Sequence, residues 1–444
     1  MMMGENPCAL HYRMSTDDQT EVLVVGAGPV GLLTTLLLTQ HGVRTRIIDA
    51  ESRTTAQSYA CALHPSSLGL LECVGLLDEV IELGRKVEKL SLYEGKIARA
   101  HLRLSDLPGR YPFAVVLEQG VLEDLLEQQL RRTGAKVEWN HRLFGIKTGE
   151  NGVDADIEKT GSSGQKLGMQ RIMIHADFVV GADGHNSTLR GLLNIRSARV
   201  GTPQLFGVYE IETTEPVDSV IKVVLSKSAN AILWPLAKNR CRWTLQLATF
   251  SVASEFPRKE RNRLISDRTR MELKGIRELH DFLERCAPWF PVQSIGETNW
   301  VAVVQFQRQL LLRFGQGRCW LAGDSAHQTS PLGMQSMNLG LLEGADLANK
   351  LKSILRDNVR LEVLQAYNRL HGDQWRHLIG LRVIPGLPDS LLSWASQRFS
   401  TILTTQENVR MRRPFPCWAR PHSRTIISSV PASGDDLNHL LQQL

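Results

Sequence analysis

Three glycines stand at fixed spacing near the start of the chain, between an apolar run and a leucine-rich segment. Gly26, Gly28 and Gly31 form the pattern G-x-G-x-x-G. In this pattern the first glycine permits a tight turn, the second lets the backbone approach a pyrophosphate, and the third lets helix and strand pack closely. Asp49 follows 18 positions after Gly31, where its carboxylate can accept hydrogen bonds from ribose hydroxyls. These residues predict a dinucleotide site.

Two later glycine-rich segments each present an aspartate after an apolar run. In Gly181-Ala-Asp183-Gly184 the glycines let backbone and carboxylate approach a ligand closely, although the segment alone also fits a type I turn. Gly323-Asp324 opens a glycine-rich loop that leads into a helix. Such a loop aims the N–H groups at the helix start toward an anionic or electron-rich ligand atom.

Three other polar residues could do chemistry by type. His327 lies in the third glycine-rich segment with no partner visible in the sequence, and His64 precedes Pro65 at a helix start. We interpret both histidines as structural. Gln119 stands where an apolar run leads into a helix and could reach a cofactor, although an amide at a helix start is more often a cap.

The elements that must position these residues follow from hydrophobic periodicity. Apolar runs predict buried strands over Val22 to Val25 and Val43 to Ile48, joined by a helix that ends at His41-Gly42. Helices with buried stripes are predicted around residues 65–74, from Leu68, Leu71 and Val74, and around residues 119–132, from Leu122, Leu125, Leu126 and Leu130.

The second half of the chain has a different pattern of apolar residues. Residues 201–304 alternate mostly as strands, which predicts an antiparallel sheet, with one amphipathic helix over Glu272 to Glu284. Gly161-Ser-Ser-Gly predicts a hairpin turn. A helix is expected to run to about Leu355, and the remainder is expected to be helical to about Trp394.

Composition excludes several classes of protein. The 444 residues carry a net charge of +6 without a run of basic residues interleaved with aromatics, so a nucleic-acid interface is not expected. No window approaches 18 unbroken apolar residues and the N-terminus does not read as a secretory signal, so neither a membrane span nor export is expected. Seven scattered cysteines without C-x-x-C pairs fit a reduced cytoplasmic chain without a metal site.

The three glycine-rich elements together resemble the class A FAD-dependent monooxygenases, the para-hydroxybenzoate hydroxylase-like aromatic hydroxylases. The elements are GAGPVG from Gly26, GADGHNSTLR from Gly181 and AGDSAHQTSPLG from Ala322, about 150 and about 140 residues apart. The first is generic to dinucleotide-binding proteins, whereas the ordered set is specific to this family and its near relatives. The resemblance covers about residues 20 to 380.

The resemblance implies a site for FAD. The first glycines and Asp49 would hold the ADP half, Asp183 would lie near the pyrophosphate and take part in NAD(P)H recognition, and Asp324 would bind the ribityl chain. Gln119 would contact FAD, and the loop from Pro331 to Asn338 would lie beside the flavin ring. The full set of implied cofactor residues is Gly26, Gly28, Pro29, Val30, Gly31, Asp49, Gln119, Asp183, Gly323, Asp324, Pro331, Gly333, Ser336, Met337 and Asn338.

Two positions depart from the family pattern. Met334 and Ser336 stand where glycines are usual in the loop beside the flavin, and Tyr59 stands where an arginine is common. The first departure bears on flavin geometry, and the second bears on control of flavin movement.

The resemblance also implies a fold and domain organisation. The fold is α/β, with a Rossmann-like FAD-binding domain that contains a parallel sheet, an inserted and mostly antiparallel β substrate domain, and a C-terminal helical segment. The FAD-binding domain would comprise residues 20–90, 113–198 and 305–350, the sheet domain residues 91–112 and 199–304, and the helical region residues 351–444. That last region would pack on the flavin domain or on a second subunit of a homodimer.

The implied activity is hydroxylation or other oxygenation of an aromatic or polyketide-like small molecule with NADH or NADPH and O₂, through a flavin C4a-hydroperoxide. The catalytic acid and base stay unassigned. Candidate pocket walls are Trp234, Trp243, Phe206 and Tyr209, although residues of this kind are more often plain sheet core. Two alternatives remain: an FAD-dependent reductase or dehydrogenase that does not use O₂, and a non-catalytic FAD-binding protein. The Trp-x-Trp-x-Ile-Pro signature of flavin-dependent halogenases is missing.

Overall fold

A computed structural model of the chain describes residues 18–53, 60–106, 109–159, 170–226, 229–247, 268–331 and 335–379. The strands are β1 Gln19–Val25, β2 Thr45–Ile48, β3 Ala62–Leu63, β4 Arg85–Val87, β5 Lys89–Glu94, β6 Ile97–Arg103, β7 Ala114–Val116, β8 Val137–Glu138, β9 His141–Thr148, β10 Val153–Lys159, β11 Gln170–Gly181, β12 Ser197–Thr213, β13 Val220–Leu225, β14 Ala231–Pro235, β15 Arg240–Leu247, β16 Ile295–Leu311, β17 Gly315–Gln316, β18 Cys319–Leu321 and β19 His327–Gln328. The helices are α1 Pro29–Gln40, α2 Pro65–Cys73, α3 Leu77–Leu83, α4 Gln119–Arg132, α5 Thr188–Leu192, α6 Arg268–Cys286, α7 Ser336–Asp357 and α8 Val363–Leu378.

The first large sheet has a parallel centre. Its strands lie in the order β17-β18-β11-β1-β2-β8, with β9 and β10 joined through β11. The chain runs from β1 outward to β2 and β8, then returns to the other side of β1 with β11 and β18, and these central neighbours are parallel. The strand order therefore reverses between β1 and β11, the kind of point at which open α/β sheets bind ligands beyond the carboxyl ends of their strands.

The β1–α1–β2 unit forms as the sequence predicts. Val22, Leu23 and Val24 are fully buried, as expected of a central strand covered on both faces. Helix α1 ends where Gly42 takes a positive φ of 71°, and the Val43 N–H closes the end by donating to the Leu38 carbonyl at 3.0 Å. Because Val43 completes the helix end in this way, β2 begins at Thr45 rather than at Val43.

The other predicted helices form with small differences. The stripes of α2 and α4 are buried, except that Leu125 is only partly covered. Helix α6 extends beyond the predicted Glu272 to Glu284 at both ends, and it buries Leu279. The structure does not describe the side chains of Leu273 and Ile276. The predicted turn at 161–164 and the helical continuation from residue 380 to Trp394 lie outside the described residues. None of the helices in the described ranges is long and apolar enough to cross a membrane.

The second large sheet is mostly antiparallel, as predicted. Its order is β19-β16-β12-β15-β14-β13-β5-β6, and the one parallel pair in this order joins β13 to β5, a strand from an early part of the chain. One face of this sheet packs against α6, and the other packs against a three-stranded sheet of order β3-β7-β4. The sheet thus lies against the nucleotide-binding half, while the domain boundaries drawn from the sequence stay a prediction.

Candidate functional site

Four predicted segments meet at one edge of the parallel sheet. In the strand register, Val25 is opposite Ile48 and Gly181, and Gly181 is opposite Leu321. The residues that follow these strand ends are the first glycine loop, Asp49, the Asp183 segment and the Gly323 segment. Segments separated by up to about 300 positions in the sequence are therefore neighbours at the carboxyl edge, at the point where the strand order reverses.

Two glycines of the first loop are required by the protein itself. Gly26 has a φ of 103°, and a Cβ there would lie 2.3 Å from the Ala182 carbonyl oxygen. A Cβ on Gly31 would lie 1.9 Å from the Gly26 oxygen. Larger residues at either position would clash with backbone, because both the turn and the helix–strand approach are too close for a side chain.

Gly28 is different, because nothing in the described protein requires a glycine there. Its φ and ψ are −72° and −179°, which any residue adopts. The nearest atom to a Cβ on Gly28 would be Glu123 Oε1 at 4.0 Å. Gly28 is also the N-cap of α1, and neither a side-chain cap nor an acidic residue in the first turn occupies this helix end. This arrangement fits a negatively charged group approaching the backbone at the start of the helix.

Pro29 and Val30 complete the first loop. Pro29 is the first residue of α1, where its fixed φ suits the helix and its missing N–H costs no hydrogen bond. Val30 faces the third glycine-rich segment, since its Cγ2 would lie 3.0 Å from a Cβ on Gly323 and 2.9 Å from one on Gly340. The loop and the third segment are thus packed directly against each other.

Asp49 ties β2 to the first loop. Its Oδ2 accepts a hydrogen bond from the Ala27 N–H at 2.6 Å, and its Oδ1 accepts one from the Glu51 N–H at 2.8 Å. The carboxylate is therefore held beside the glycine turn by backbone donors. Its contact with a ribose stays a prediction.

Asp183 presents a carboxylate oxygen that lacks a protein partner. Its Oδ2 accepts from the Leu189 N–H at 3.1 Å, whereas Oδ1 is buried with no hydrogen-bond partner among the described residues. Burial raises the pKa of the Asp183 carboxyl above its ordinary value. A buried orphan acceptor next to Gly26 fits a site that a ligand donor completes.

The second and third segments are bonded to each other. Arg190 donates to the Ser325 carbonyl at 3.0 Å and to the His185 carbonyl at 2.6 Å, and the Ser325 hydroxyl donates to the Gly181 carbonyl at 2.7 Å. These contacts hold the Asp183 and Asp324 segments in a fixed relative position. Arg190 ends the GADGHNSTLR motif, and no local pattern in the sequence predicts that it contacts Ser325.

The third segment begins with a left-handed turn at Gly323. Gly323 has a φ of 66°, in the left-handed region that favours glycine. Asp324 follows, and its Oδ1 accepts a short hydrogen bond from the Ser336 hydroxyl at the start of α7. Ser336, one of the departures from the family pattern, thus contacts the predicted ribityl-binding residue directly.

His327 is buried and paired, which confirms its structural interpretation. It is 1% exposed, its Nε2 lies 2.8 Å from Glu343 Oε2, and its ring stacks on Trp375 with centroids 3.7 Å apart. His64 is also buried, at the N-cap position of α2, and burial lowers its pKa to about 3. His64 contributes no side-chain cap, so its role is packing.

The residues expected beside the flavin ring have different surroundings. Asn338 is 3% exposed, and its Oδ1 accepts from the His64 N–H and the Ser67 hydroxyl while its Nδ2 donates to the Ala62 carbonyl. This amide joins α7 to the start of α2. Pro331, Ser336 and Met337 are half-buried at the loop and helix start, whereas Gly333, Met334 and Tyr59 lie outside the described residues.

Gln119 is not a helix cap, contrary to the alternative drawn from the sequence. It is the first residue of α4, after the N-cap Glu118, and its Nε2 donates to Glu123 Oε1 at 2.7 Å. Glu123 is 2% exposed and is the residue nearest to the open side of Gly28. The spacing of four positions within one helix was the available signal for this pair. Gln119 therefore reaches the first glycine loop through Glu123.

The candidate pocket walls divide between the two faces of the second sheet. Tyr209 and Trp243 pack under α6, so they face away from the nucleotide-binding half. Trp234 belongs to the cluster formed with β3 and β7, and its indole donates to the Thr244 hydroxyl at 3.1 Å. Phe206 is fully buried and packs edge-on against Phe306.

The fold and the site define a dinucleotide-binding protein, and the residues present fit FAD. An uncapped helix start, a glycine with open space in its Cβ direction and a buried carboxylate oxygen without a hydrogen-bond partner among the described residues meet at one sheet edge. The FAD binding domain family matches residues 19–373. The chain belongs to this family, and the predicted dinucleotide is FAD.

Several known proteins are similar to this chain. It is 29% identical over 352 residues to 6-methylpretetramide 4-monooxygenase of Streptomyces rimosus. The matched region covers 79% of this chain and 58% of that protein. This chain is 26% identical over 350 residues to pentachlorophenol 4-monooxygenase of Sphingobium chlorophenolicum, covering 78% and 61%. The chain thus spans about three fifths of the length of these curated relatives.

The fold comparison agrees with the family. The crystal structure of p-nitrophenol 4-monooxygenase from Pseudomonas putida DLL-E4 superposes with a TM-score of 0.67, at 20% identity, covering 81% of this chain and 86% of that one. The predicted fold class, an α/β FAD-binding fold with a second, mostly antiparallel sheet, is confirmed.

Proposed function

We propose that this protein is an FAD-dependent monooxygenase that consumes NADH or NADPH and O₂ to hydroxylate or otherwise oxygenate an aromatic or polyketide-like small molecule. The family membership supports the cofactor. The relatives support the reaction class, since their names describe monooxygenases of 6-methylpretetramide and of pentachlorophenol. The single structural observation that carries the proposal is Gly28, a glycine that the protein's own packing does not require.

Each part of the site would hold a different part of FAD. Gly26, Gly28 and Gly31, together with the start of α1, would hold the pyrophosphate through backbone N–H groups. Asp49 would accept hydrogen bonds from the adenosine ribose. Asp183 would accept a donor near the pyrophosphate through its orphan oxygen, and would take part in nicotinamide nucleotide recognition.

The third segment would hold the flavin half. The Asp324 carboxylate would accept hydrogen bonds from ribityl hydroxyls, and Gly323 gives the backbone its close approach. Pro331, Gly333, Ser336, Met337 and Asn338 would flank the ring, where the start of α7 stabilises negative charge. Gln119 would complete the site from α4.

The bound flavin would supply the redox and oxygen chemistry, and the protein would orient the substrate and exclude water. The face of the second sheet toward the nucleotide-binding half would cover the substrate. Trp234 and Phe206 remain candidates for the pocket wall, whereas Tyr209 and Trp243 do not, because they pack under α6. A homodimer and a cytoplasmic location also remain proposals.

The proposal is tested by spectroscopy followed by a substrate screen. Purified protein should be yellow or become yellow with FAD, lose its visible flavin absorbance when NADPH or NADH is added without oxygen, and regain it in air. Aromatic and polyketide-like substrates should raise oxygen uptake and yield a product with one added oxygen atom from ¹⁸O₂. Reduction and reoxidation without incorporation of ¹⁸O for any substrate would favour the reductase or dehydrogenase alternative.

A further inference from the structure

Glu343 is a fully buried carboxylate on which three hydrogen-bond donors converge. It lies in α7, and its side chain is 0% exposed. Its Oε2 accepts from the Gly323 N–H at 2.8 Å and lies 2.8 Å from His327 Nε2, while its Oε1 accepts from the Trp375 indole at 2.6 Å. A buried acid is costly unless paired and hydrogen-bonded, so this one is retained with partners on both oxygens.

The bond to Gly323 acts at the left-handed turn of the third segment. Gly323 has a positive φ, and Val30 lies close on the side where a Cβ would project. The peptide that joins Ala322 to Gly323 is held from the inside by Glu343. Its orientation sets where the next residue, Asp324, presents its carboxylate. Rotation of this peptide would move Asp324 away from its contact with Ser336 at the start of α7.

The electrostatic surroundings keep Glu343 in its charged, accepting form. Burial opposes the charge, but the neighbouring His327 and His371 and the Gly323 N–H outweigh it, so the pKa of Glu343 is below its ordinary value. His327 stacks on Trp375, and His371 is paired with Asp346 one turn further along α7. The carboxylate is thus anchored to β19 and α8 as well as to the turn.

We propose that Glu343 is a positioning residue for FAD: its carboxylate holds the Gly323–Asp324 turn in the geometry that the ribityl chain requires. The inference rests on the proposed role of Asp324 in FAD binding. Glu343 touches no cofactor atom in this account, because it acts through the Gly323 backbone. Trp375 anchors the same carboxylate from the opposite side and has no part in the turn.

The first test compares the contributions of the Gly323 bond and the Trp375 bond of Glu343 to FAD binding. It uses the full-length protein from which FAD has been removed. Glu343→Leu removes the acceptor of the Gly323 N–H, and it should weaken FAD binding at least about tenfold, the effect expected for loss of a buried hydrogen bond to a charged group. Trp375→Phe is the matched control, since it removes the third donor and keeps an aromatic ring for the stacking with His327. It should lower the Tm while changing the FAD dissociation constant by less than about threefold.

A second pair of variants keeps the test decisive if Glu343→Leu does not fold. In Glu343→Gln a single amide oxygen replaces two carboxylate oxygens, so it can turn toward Trp375 and leave the amide NH₂ facing the Gly323 N–H, donor against donor. The double variant Glu343→Gln/Trp375→Phe removes that conflict. FAD affinity should fall in the single variant and return to within about threefold of the wild type in the double variant.

The outcomes distinguish this inference from the proposed function. Wild-type FAD affinity in Glu343→Leu or in Glu343→Gln, whatever the change in Tm, would overturn the positioning role, and so would a double variant that binds no better than Glu343→Gln. Both measurements use FAD affinity in the absence of NAD(P)H and substrate. A protein that binds FAD but oxygenates nothing would therefore contradict the proposed function and leave the role of Glu343 intact.

Discussion

At the scale of single residues, the three glycines of the first loop have different physical reasons to be glycine. Gly26 and Gly31 would place a Cβ within 2.3 Å of protein backbone, so folding alone requires them. Gly28 has an ordinary extended backbone, and among the described residues other than its chain neighbours no atom would lie closer than 4.0 Å to a Cβ at this position. Substitution at Gly28 should therefore separate cofactor binding from folding, which the other two positions cannot do.

Gly28→Val is expected to fold and to lose FAD. Valine is a poor N-cap residue, so the free energy of unfolding of the FAD-free protein should fall by no more than about 1 kcal/mol. FAD affinity should fall by at least about tenfold, because the side chain keeps the pyrophosphate from the backbone. Titration of the FAD-free protein with FAD, followed by flavin fluorescence, measures the affinity, and a thermal scan measures stability.

Gly149→Val is the matched control for this prediction. Gly149 is exposed in the turn after β9, and a Cβ there would meet only the Gly152 oxygen at an ordinary 3.6 Å. Gly149→Val should leave both the FAD affinity and the stability of the FAD-free protein nearly unchanged. Normal FAD affinity in Gly28→Val would show that the open side of Gly28 does not face the cofactor.

At the scale of elements, α1 and α7 approach each other through glycines of α7. A Cβ on Gly344 would lie 2.4 Å from Thr34 Oγ1, and one on Gly340 would lie 3.0 Å from the Gly323 Cα. The two helices both begin at glycine-rich segments of the site. Their close packing therefore fixes the distance between the loop that would hold the pyrophosphate and the turn that would hold the ribityl chain.

Gly344→Ala should destabilise the protein by about 1–3 kcal/mol, because the added methyl group overpacks the contact with α1. Thr34→Ala removes the atom that would clash, at the expense of a local bond from the Thr34 hydroxyl to the Val30 carbonyl. The double variant should recover part of the loss, and the Tm values of the four proteins form the test. Strictly additive effects would show that Thr34 is not the limiting contact.

At the scale of the whole molecule, an apolar cluster holds the second large sheet to the small β3-β7-β4 sheet, and an ion pair holds it to the start of α4. Residues of β3 and β7 pack against β13 and β14, and Arg240 on β15 donates to Glu118 at 2.7 Å and to Glu210 at 2.9 Å. These ion pairs are only partly buried, so groups buried more deeply in the molecule are the ones to consider for pH dependence. The stability of the molecule should depend on pH wherever a buried group titrates differently in the folded and unfolded protein.

His64 should make the molecule sensitive to acid. Its folded pKa is about 3, below the ordinary 6.5, because burial disfavours the charged ring. The stability that its neutral form contributes is therefore complete above about pH 6.5 and falls as the pH drops toward 3, by up to about 1.4 kcal/mol per pH unit. His64→Gln should flatten the fall of Tm with pH in this window. His185→Gln, at an exposed position, should not, and equal slopes for both variants would contradict this account.

Much of the secondary structure of the nucleotide-binding half could be predicted from the sequence, because the patterns that specify it lie within short segments. Turn glycines, an apolar strand and a helix of period 3.6 determine β1, α1 and β2 within 30 residues, and the buried faces of α2 and α4 follow from their leucine spacing. The sequence also supplied the class of cofactor through three ordered motifs. The start of β2, by contrast, depended on how the helix end closes, which a pattern of apolar residues does not contain.

By itself, therefore, the sequence determined the local conformation of each glycine-rich segment and the kind of ligand that such segments bind. Only the tertiary structure decided which segments meet: β11 and β18 beside β1, Arg190 on Ser325, and Glu343 on both Gly323 and His327. It also decided that Tyr209 and Trp243 lie under α6 while Trp234 faces the nucleotide-binding half. The physical reason is that backbone conformation and periodicity are properties of neighbouring residues, whereas the partner of a buried charge or an aromatic face is selected by packing between distant parts of the chain.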